Sequence, residues 1–179
     1  MQFQIYNSIL RKSPEECQCS GNFFATTLFV LISAVQKISR VTVLSAGLRL
    51  YRGLGGDVSL PSTFYNSDEN GCKGFTERGF MSTTSNKEVA INYSGVNDQK
   101  PLPTVLEIRV GAVDRGACIE AFSQYPKEHE YLFVPCCFLE QESAQNLVVT
   151  TSGIVTIIPV RVNTNFKTVT VEELCAKIR

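Results

Sequence analysis

The stretch Gln124-Tyr125-Pro126-Lys127-Glu128-His129-Glu130-Tyr131-Leu132-Phe133-Val134-Pro135 runs from turn-forming residues through two glutamates into an apolar strand. Side chains two apart in an extended chain share a face. The spacing therefore predicts that Glu128 and Glu130 project together from the mouth of a strand, with His129 turned the other way. Two like charges on one face of a strand entering a core repel each other and gain nothing by burial. Taken alone, such a pair reads as two solvated loop acids. It acquires chemical meaning only where the rest of the chain brings a cation and a bond to break beside it.

Working outward, Leu48-Arg49-Leu50-Tyr51-Arg52-Gly53 alternates apolar and basic residues and then breaks into Gly53-Leu54-Gly55-Gly56-Asp57. A short strand emptying into a glycine-rich turn can hold an arginine over a phosphate, although these glycines fit no phosphate-loop spacing. Gly79-Phe80-Met81-Ser82-Thr83-Thr84-Ser85 is a strand edge dense in hydroxyls, and Asn86 to Tyr93 reads as a short helix with Ser85 as its cap. Capping and strand propensity by themselves account for that hydroxyl cluster. Residues 54–74, rich in Gly, Ser, Asn and Asp, read as a loop.

The remaining pattern is mixed. From Asn22 to Arg40 the apolar positions Phe24, Leu28, Leu31, Ile32, Val35 and Ile38 recur at helical spacing, ending in Lys37 and Arg40, where cations suit the helix dipole. Residues 1–20 carry no clear period, and only Ser13-Pro14-Glu15-Glu16 has the form of a helix start. Val105 to Val110 alternates, with Leu106, Ile108 and Val110 inward. Tyr131 to Val134 and Cys137 to Leu139 are short apolar runs, while Asn146 to Val149 and Ile154 to Val162 flank a turn as a hairpin. Thr170-Val171-Glu172-Glu173-Leu174 is expected to begin a last helical turn. The sum is α+β, a helical front third before a sheet-rich remainder with no βαβ rhythm.

Length and charge bound the function. The 179 residues suit one domain. Lysine plus arginine equals aspartate plus glutamate, 17 against 17, so no global field draws in nucleic acid or an anionic membrane. The longest apolar run, Phe23 to Val35, falls short of the roughly 20 residues that span a bilayer. Seven cysteines and one histidine form no ligand cluster of metal-site spacing, and Cys17, Cys19, Cys136 and Cys137 read as small apolar residues. The odd cysteine count favours a reducing compartment, so a cytoplasmic location is preferred to a secreted one.

Read together, Tyr51-Arg52-Gly53, then Phe80-Met81-Ser82-Thr83-Thr84, then Glu128-His129-Glu130 resembles the R-S-E motif set of the ADP-ribosyltransferases. The ExE form resembles the branch that modifies arginine side chains. Ala25-Thr26-Thr27-Leu28 and Ser33 to Arg40, leading to the first motif, are similar to the helix that precedes it in eukaryotic-type members. The resemblance spans roughly residues 22–160. It implies a helical N-terminal part packed on a two-sheet β core with a central NAD cleft. Residues 1–179 would form one catalytic domain, with an N-terminal extension over 1–20, a leading helix over 22–40 and the motif-bearing core over 48–162.

The resemblance also implies roles. NAD would be the co-substrate, with no metal, and the partner an arginine-bearing acceptor protein, with the chain acting as a monomer. Arg52 would hold a pyrophosphate oxygen of NAD, with Gly53 and Thr83 beside it. Ser82 would hydrogen-bond the catalytic Glu130, and Ser-Thr-Thr stands here where Ser-Thr-Ser is commoner. Tyr93 would stack on nicotinamide, its alternative role being core packing, and Tyr125 would touch the acceptor. Glu130 would stabilise the oxocarbenium-like ribose through its 2′-hydroxyl, and Glu128 would orient the acceptor guanidinium and help remove its proton. His129, by alternation, is expected to point away. The same residues would serve an NAD glycohydrolase with water as acceptor, or persist in an inactive binding module.

Overall fold

The computed structural model describes residues 2–12, 23–55, 59–67, 69, 73–98, 101–111 and 114–163. The expected helix start at Ser13 to Glu16 and the expected last turn at Thr170 to Leu174 lie outside them. Two helices lead the chain rather than one. α1 (Gln2–Arg11) falls where the sequence carried no legible period, and α2 (Ala25–Val41) follows. Phe24 stops α2 from starting earlier: it takes a left-handed conformation (φ 49°), and its ring meets Tyr6 of α1 edge-on at 5.5 Å. Of the expected stripe, Leu28 and Val35 are buried and Ile32 and Ile38 pack partly against the core, but Leu31 is exposed. Ser39 is buried instead, because its hydroxyl donates to the Gln36 carbonyl and needs no water.

Next come β1 (Arg49–Leu54), α3 (Ser62–Tyr65), β2 (Phe75–Glu77), β3 (Met81–Thr84), α4 (Lys87–Asn92), β4 (Thr104–Arg109) and β5 (Ala117–Cys118). The chain closes with β6 (Glu130–Phe133), β7 (Cys137–Gln141), β8 (Asn146–Thr150) and β9 (Gly153–Asn163). The stretch read as a loop over 54–74 therefore contains a helix. Four residues are too few to show a period, yet α3 is anchored by Phe64, wholly buried with its ring edge-on to Phe75.

Hydrogen bonding runs through the strands in the order β2-β7-β9-β4-β1-β3-β6-β5, with β8 paired to the start of β9. β1 and β3 are joined at one residue pair only, Tyr51 opposite Thr84. The expected two sheets thus appear as two sub-sheets meeting at this seam. β4 and β9 pair in parallel, and the other pairs are antiparallel. The larger sub-sheet is covered on both faces. Leu50, Leu106, Ile108, Ile158 and Val160 share a cluster with Leu28 and Val35 of α2. Val105, Val155 and Ile157 pack with Ala90 and Ile91 of α4. This double burial is why Val105 is as enclosed as its neighbours, while Val110, expected inward, is only partly covered.

Two local features depart from their sequence reading. Asn86, not Ser85, caps α4, its Oδ1 accepting from the Glu88 N–H at 3.0 Å. Of the vicinal cysteines only Cys137 behaves as a small apolar residue. It is fully enclosed with its Sγ on the Val134 carbonyl at 3.0 Å, whereas Cys136 is exposed in a left-handed conformation (φ 65°). Among the described residues no helix is long and apolar enough to cross a membrane.

Candidate active site

A cleft of about 540 Å³ opens at the seam between the two sub-sheets. β1 contributes Arg52 and Gly53, β3 contributes Ser82, Thr83 and Thr84, the end of α4 contributes Tyr93, and Glu128 and Glu130 enter from the start of β6. Seven of the eight sequence-derived site residues therefore line one cavity. Tyr125 does not. It is exposed just ahead of the glutamates, its N–H donating to the Ser123 hydroxyl at 3.0 Å.

The two acids reach the same cleft by a different geometry from that expected. Pro126–Glu128 is a 3₁₀ turn, His129 is left-handed (φ 47°, ψ 56°), and only at Glu130 does the chain become extended. A non-glycine residue in that conformation is costly, so the turn must be held from outside. The hydroxyls of β3 hold it. Thr84 Oγ1 donates to the Glu128 carbonyl, and Thr83 Oγ1 to the Tyr131 carbonyl at 2.7 Å. β3 and β6 then pair so that Thr84 lies opposite Glu130. His129 turns aside, its Nδ1 3.0 Å from Glu120 Oε2.

Ser82 Oγ donates to Glu130 Oε1 at 2.5 Å, a short charge-assisted bond that fixes the carboxylate. Arg52 Nη1 donates to the carbonyl of the same serine at 2.9 Å. One residue therefore aligns the cation through its main chain and the anion through its side chain. Burial holds the Arg52 pKa below the ordinary guanidinium value, with Arg11 pushing the same way, while Glu77 acts in the opposite sense. A partly desolvated cation of this kind favours an anionic ligand more strongly than an exposed one.

Tyr93 is not a core residue. It is 59 % exposed, and its hydroxyl donates to Glu128 Oε1 at 2.9 Å. That bond is the main reason its pKa is raised. Its position depends on Gly53, where an added Cβ would lie 2.2 Å from the Ala90 carbonyl oxygen and 2.6 Å from the Tyr93 carbonyl carbon. Only glycine lets the C-terminal end of α4 cross β1 this closely. Two further lining residues, Thr84 and Gln4, were not among those singled out from sequence. Thr84 could have been found as the third hydroxyl of its strand. Gln4 sits on α1, for which the sequence offered no signal.

Solved structures of ADP-ribosyltransferases are similar to this fold. HopU1 of Pseudomonas syringae pv. tomato DC3000 superposes with a TM-score of 0.63 at 21% identity, over 90% of this chain and 65% of that one. Vis, solved with the inhibitor M6, gives 0.62 at 23% identity over 93% and 69%. Exoenzyme S of Pseudomonas aeruginosa, in complex with human 14-3-3 protein beta and bound to carba-NAD, gives 0.59 at 16% identity over 99% and 76%. The chain thus spans just under two thirds of the HopU1 chain, and at these identities the likeness establishes the fold. A sequence search of curated proteins found no match. The family is given by the sequence itself: residues 7–137 match the ADP-ribosyltransferase exoenzyme family, and the chain belongs to it.

Proposed function

We propose that the chain transfers ADP-ribose from NAD to an arginine side chain of an acceptor protein, releasing nicotinamide. The observation that carries this reading is the pair of glutamates in one cleft, Glu130 fixed by Ser82 at 2.5 Å and Glu128 held by Tyr93 at 2.9 Å, with Arg52 beside them. The residues suit the dinucleotide. Arg52 supplies a desolvated cation for the diphosphate, Glu130 a carboxylate for the sugar, and the cleft lies in the range of small-molecule sites, about 300–1,000 Å³.

The chemistry follows from charge. Nicotinamide leaves neutral from a cationic ring, so no acid is needed at the leaving group, in contrast to glycoside hydrolysis. Positive charge instead builds on the ribose, and a fixed carboxylate beside it stabilises the transition state without reorganising. Ser82 removes one degree of freedom from Glu130 in advance. Glu128 is left to accept a guanidinium, a planar cation matched to a carboxylate, and to help withdraw its proton, since free guanidine has a pKa above about 12.

The test is nicotinamide release from NAD with and without agmatine, followed by mass spectrometry of the product. Release that depends on agmatine and yields ADP-ribosyl-agmatine supports arginine transfer. Equal release without it identifies an NAD glycohydrolase, and no release in either case leaves a binding module. Glu130→Gln is expected to lower turnover by about 10²–10³-fold, the usual cost of one transition-state contact. Glu128→Gln is expected to remove transfer to agmatine while sparing the acceptor-free release of nicotinamide, and unchanged transfer would defeat the acceptor assignment.

A further inference from the structure

α1 brings three polar side chains to the site from one face, at positions 4, 7 and 11. Gln4 lines the cleft. Asn7, buried, grips the main chain of Phe80 on both sides, donating to its carbonyl at 3.1 Å and accepting from its N–H at 2.8 Å. Arg11 reaches Glu77 with a two-pronged contact, Nε to Oε1 at 2.9 Å and Nη2 to Oε2 at 3.1 Å. Glu77 Oε1 also accepts from the Gly79 N–H at 2.8 Å. Arg52, the cation of the cleft, forms a looser ion pair with the same carboxylate, its Nη2 3.8 Å from Glu77 Oε2 and outside hydrogen-bond distance.

Two guanidinium groups thus share one carboxylate, and the one outside the cleft makes the hydrogen bonds to it. The asymmetry has a chemical consequence. A shift of about 1 Å in Glu77 would bring it to bonding distance of Arg52. There the loose ion pair would become a hydrogen-bonded, partly buried one, and Glu77 would compete with any anion for the same donors. The Gly79 N–H would keep Glu77 within reach even without Arg11.

We infer that Arg11 is a positioning residue that keeps Glu77 out of hydrogen-bond contact with Arg52, so that the Arg52 donors stay available to the diphosphate of NAD. The inference rests on the functional reading above. It makes the docking of α1 a determinant of nucleotide affinity, although among the described side chains of α1 only Gln4 lies in the cleft wall.

The competition gives a signature that a purely structural role would not. NAD binding by isothermal titration calorimetry at fixed ionic strength, with circular dichroism melts to confirm folding, would compare the parent with Arg11→Ala, Glu77→Gln and the double variant. Arg11→Ala is expected to raise the Kd about tenfold. Glu77→Gln alone should bind NAD at least as tightly as the parent, and the double variant should return to within about twofold of it. A double variant as weak as Arg11→Ala would show that Arg11 merely anchors α1 and would overturn the inference. So would a parental Kd in Arg11→Ala, or weakened binding in Glu77→Gln. A parent chain that binds no NAD would instead defeat the functional reading, and this inference with it.

Discussion

Removing the Ser82 hydroxyl tests how Glu130 is held in the cleft. In Ser82→Ala the 2.5 Å bond to Glu130 Oε1 is lost, while the Ser82 carbonyl that receives Arg52 is retained. A hydrogen bond to a charged group contributes about 1.5–3 kcal/mol, and each 1.36 kcal/mol is a factor of ten in rate. If the bond serves to fix Glu130 for the transition state, kcat for nicotinamide release at saturating NAD should fall about tenfold to a hundredfold. The Kd for NAD should change by less than about twofold, because the contact removed is made to the catalytic group and not to the nucleotide. Chromatographic measurement of nicotinamide, with NAD binding followed by calorimetry, separates the two quantities. A kcat within about twofold of the parent would refute the argument. So would a loss that fell entirely on NAD binding, which would make Ser82 a support for Arg52.

Three other perturbations probe neighbouring parts. Tyr93→Phe deletes the hydroxyl that holds Glu128 and should lower transfer to agmatine by about three- to tenfold, with acceptor-free nicotinamide release less affected; equal losses in both assays would argue against it. Gly53→Ala sets a methyl group 2.2 Å from the Ala90 carbonyl oxygen and should destabilise the fold by about 2 kcal/mol or more, read as a lower midpoint in urea. Burial, with Cys136 as the next cause, pushes the Cys137 thiol up from 9.0 to about 12. The folded state therefore holds that proton when the unfolded chain has released it, so stability should decline as pH rises from about 9 towards 12. Cys137→Ala should flatten that decline, and an unchanged alkaline slope would contradict the assignment.

Much of the arrangement could be read from residue order, for reasons that differ by element. Long periodic segments declared themselves: the stripe of α2, the alternation of β4 and the β8–β9 hairpin all register contacts repeated over several residues. α1 and α3 were missed because they are stabilised by distant partners, Asn7 by Phe80 and Phe64 by Phe75, which no local period reports. The ExE pair shows a right outcome with a wrong cause. Alternation placed Glu128 and Glu130 on one side, but a left-handed histidine and two threonine hydroxyls bring them there. Positive φ at a non-glycine residue leaves no mark in composition, and so neither it nor the exposure of Cys136 was legible.

The single pairing of Tyr51 with Thr84 makes the joint between the two sub-sheets a narrow one, with the Arg52 guanidinium on one side and both carboxylates on the other. A molecule reaching from Arg52 to Glu130 acts as a rivet across that joint. Its occupancy would raise the resistance of the whole sheet to heat by mass action, and under the proposed reaction each turnover, by cutting the bound molecule in two, would remove the rivet that the chain had just acquired.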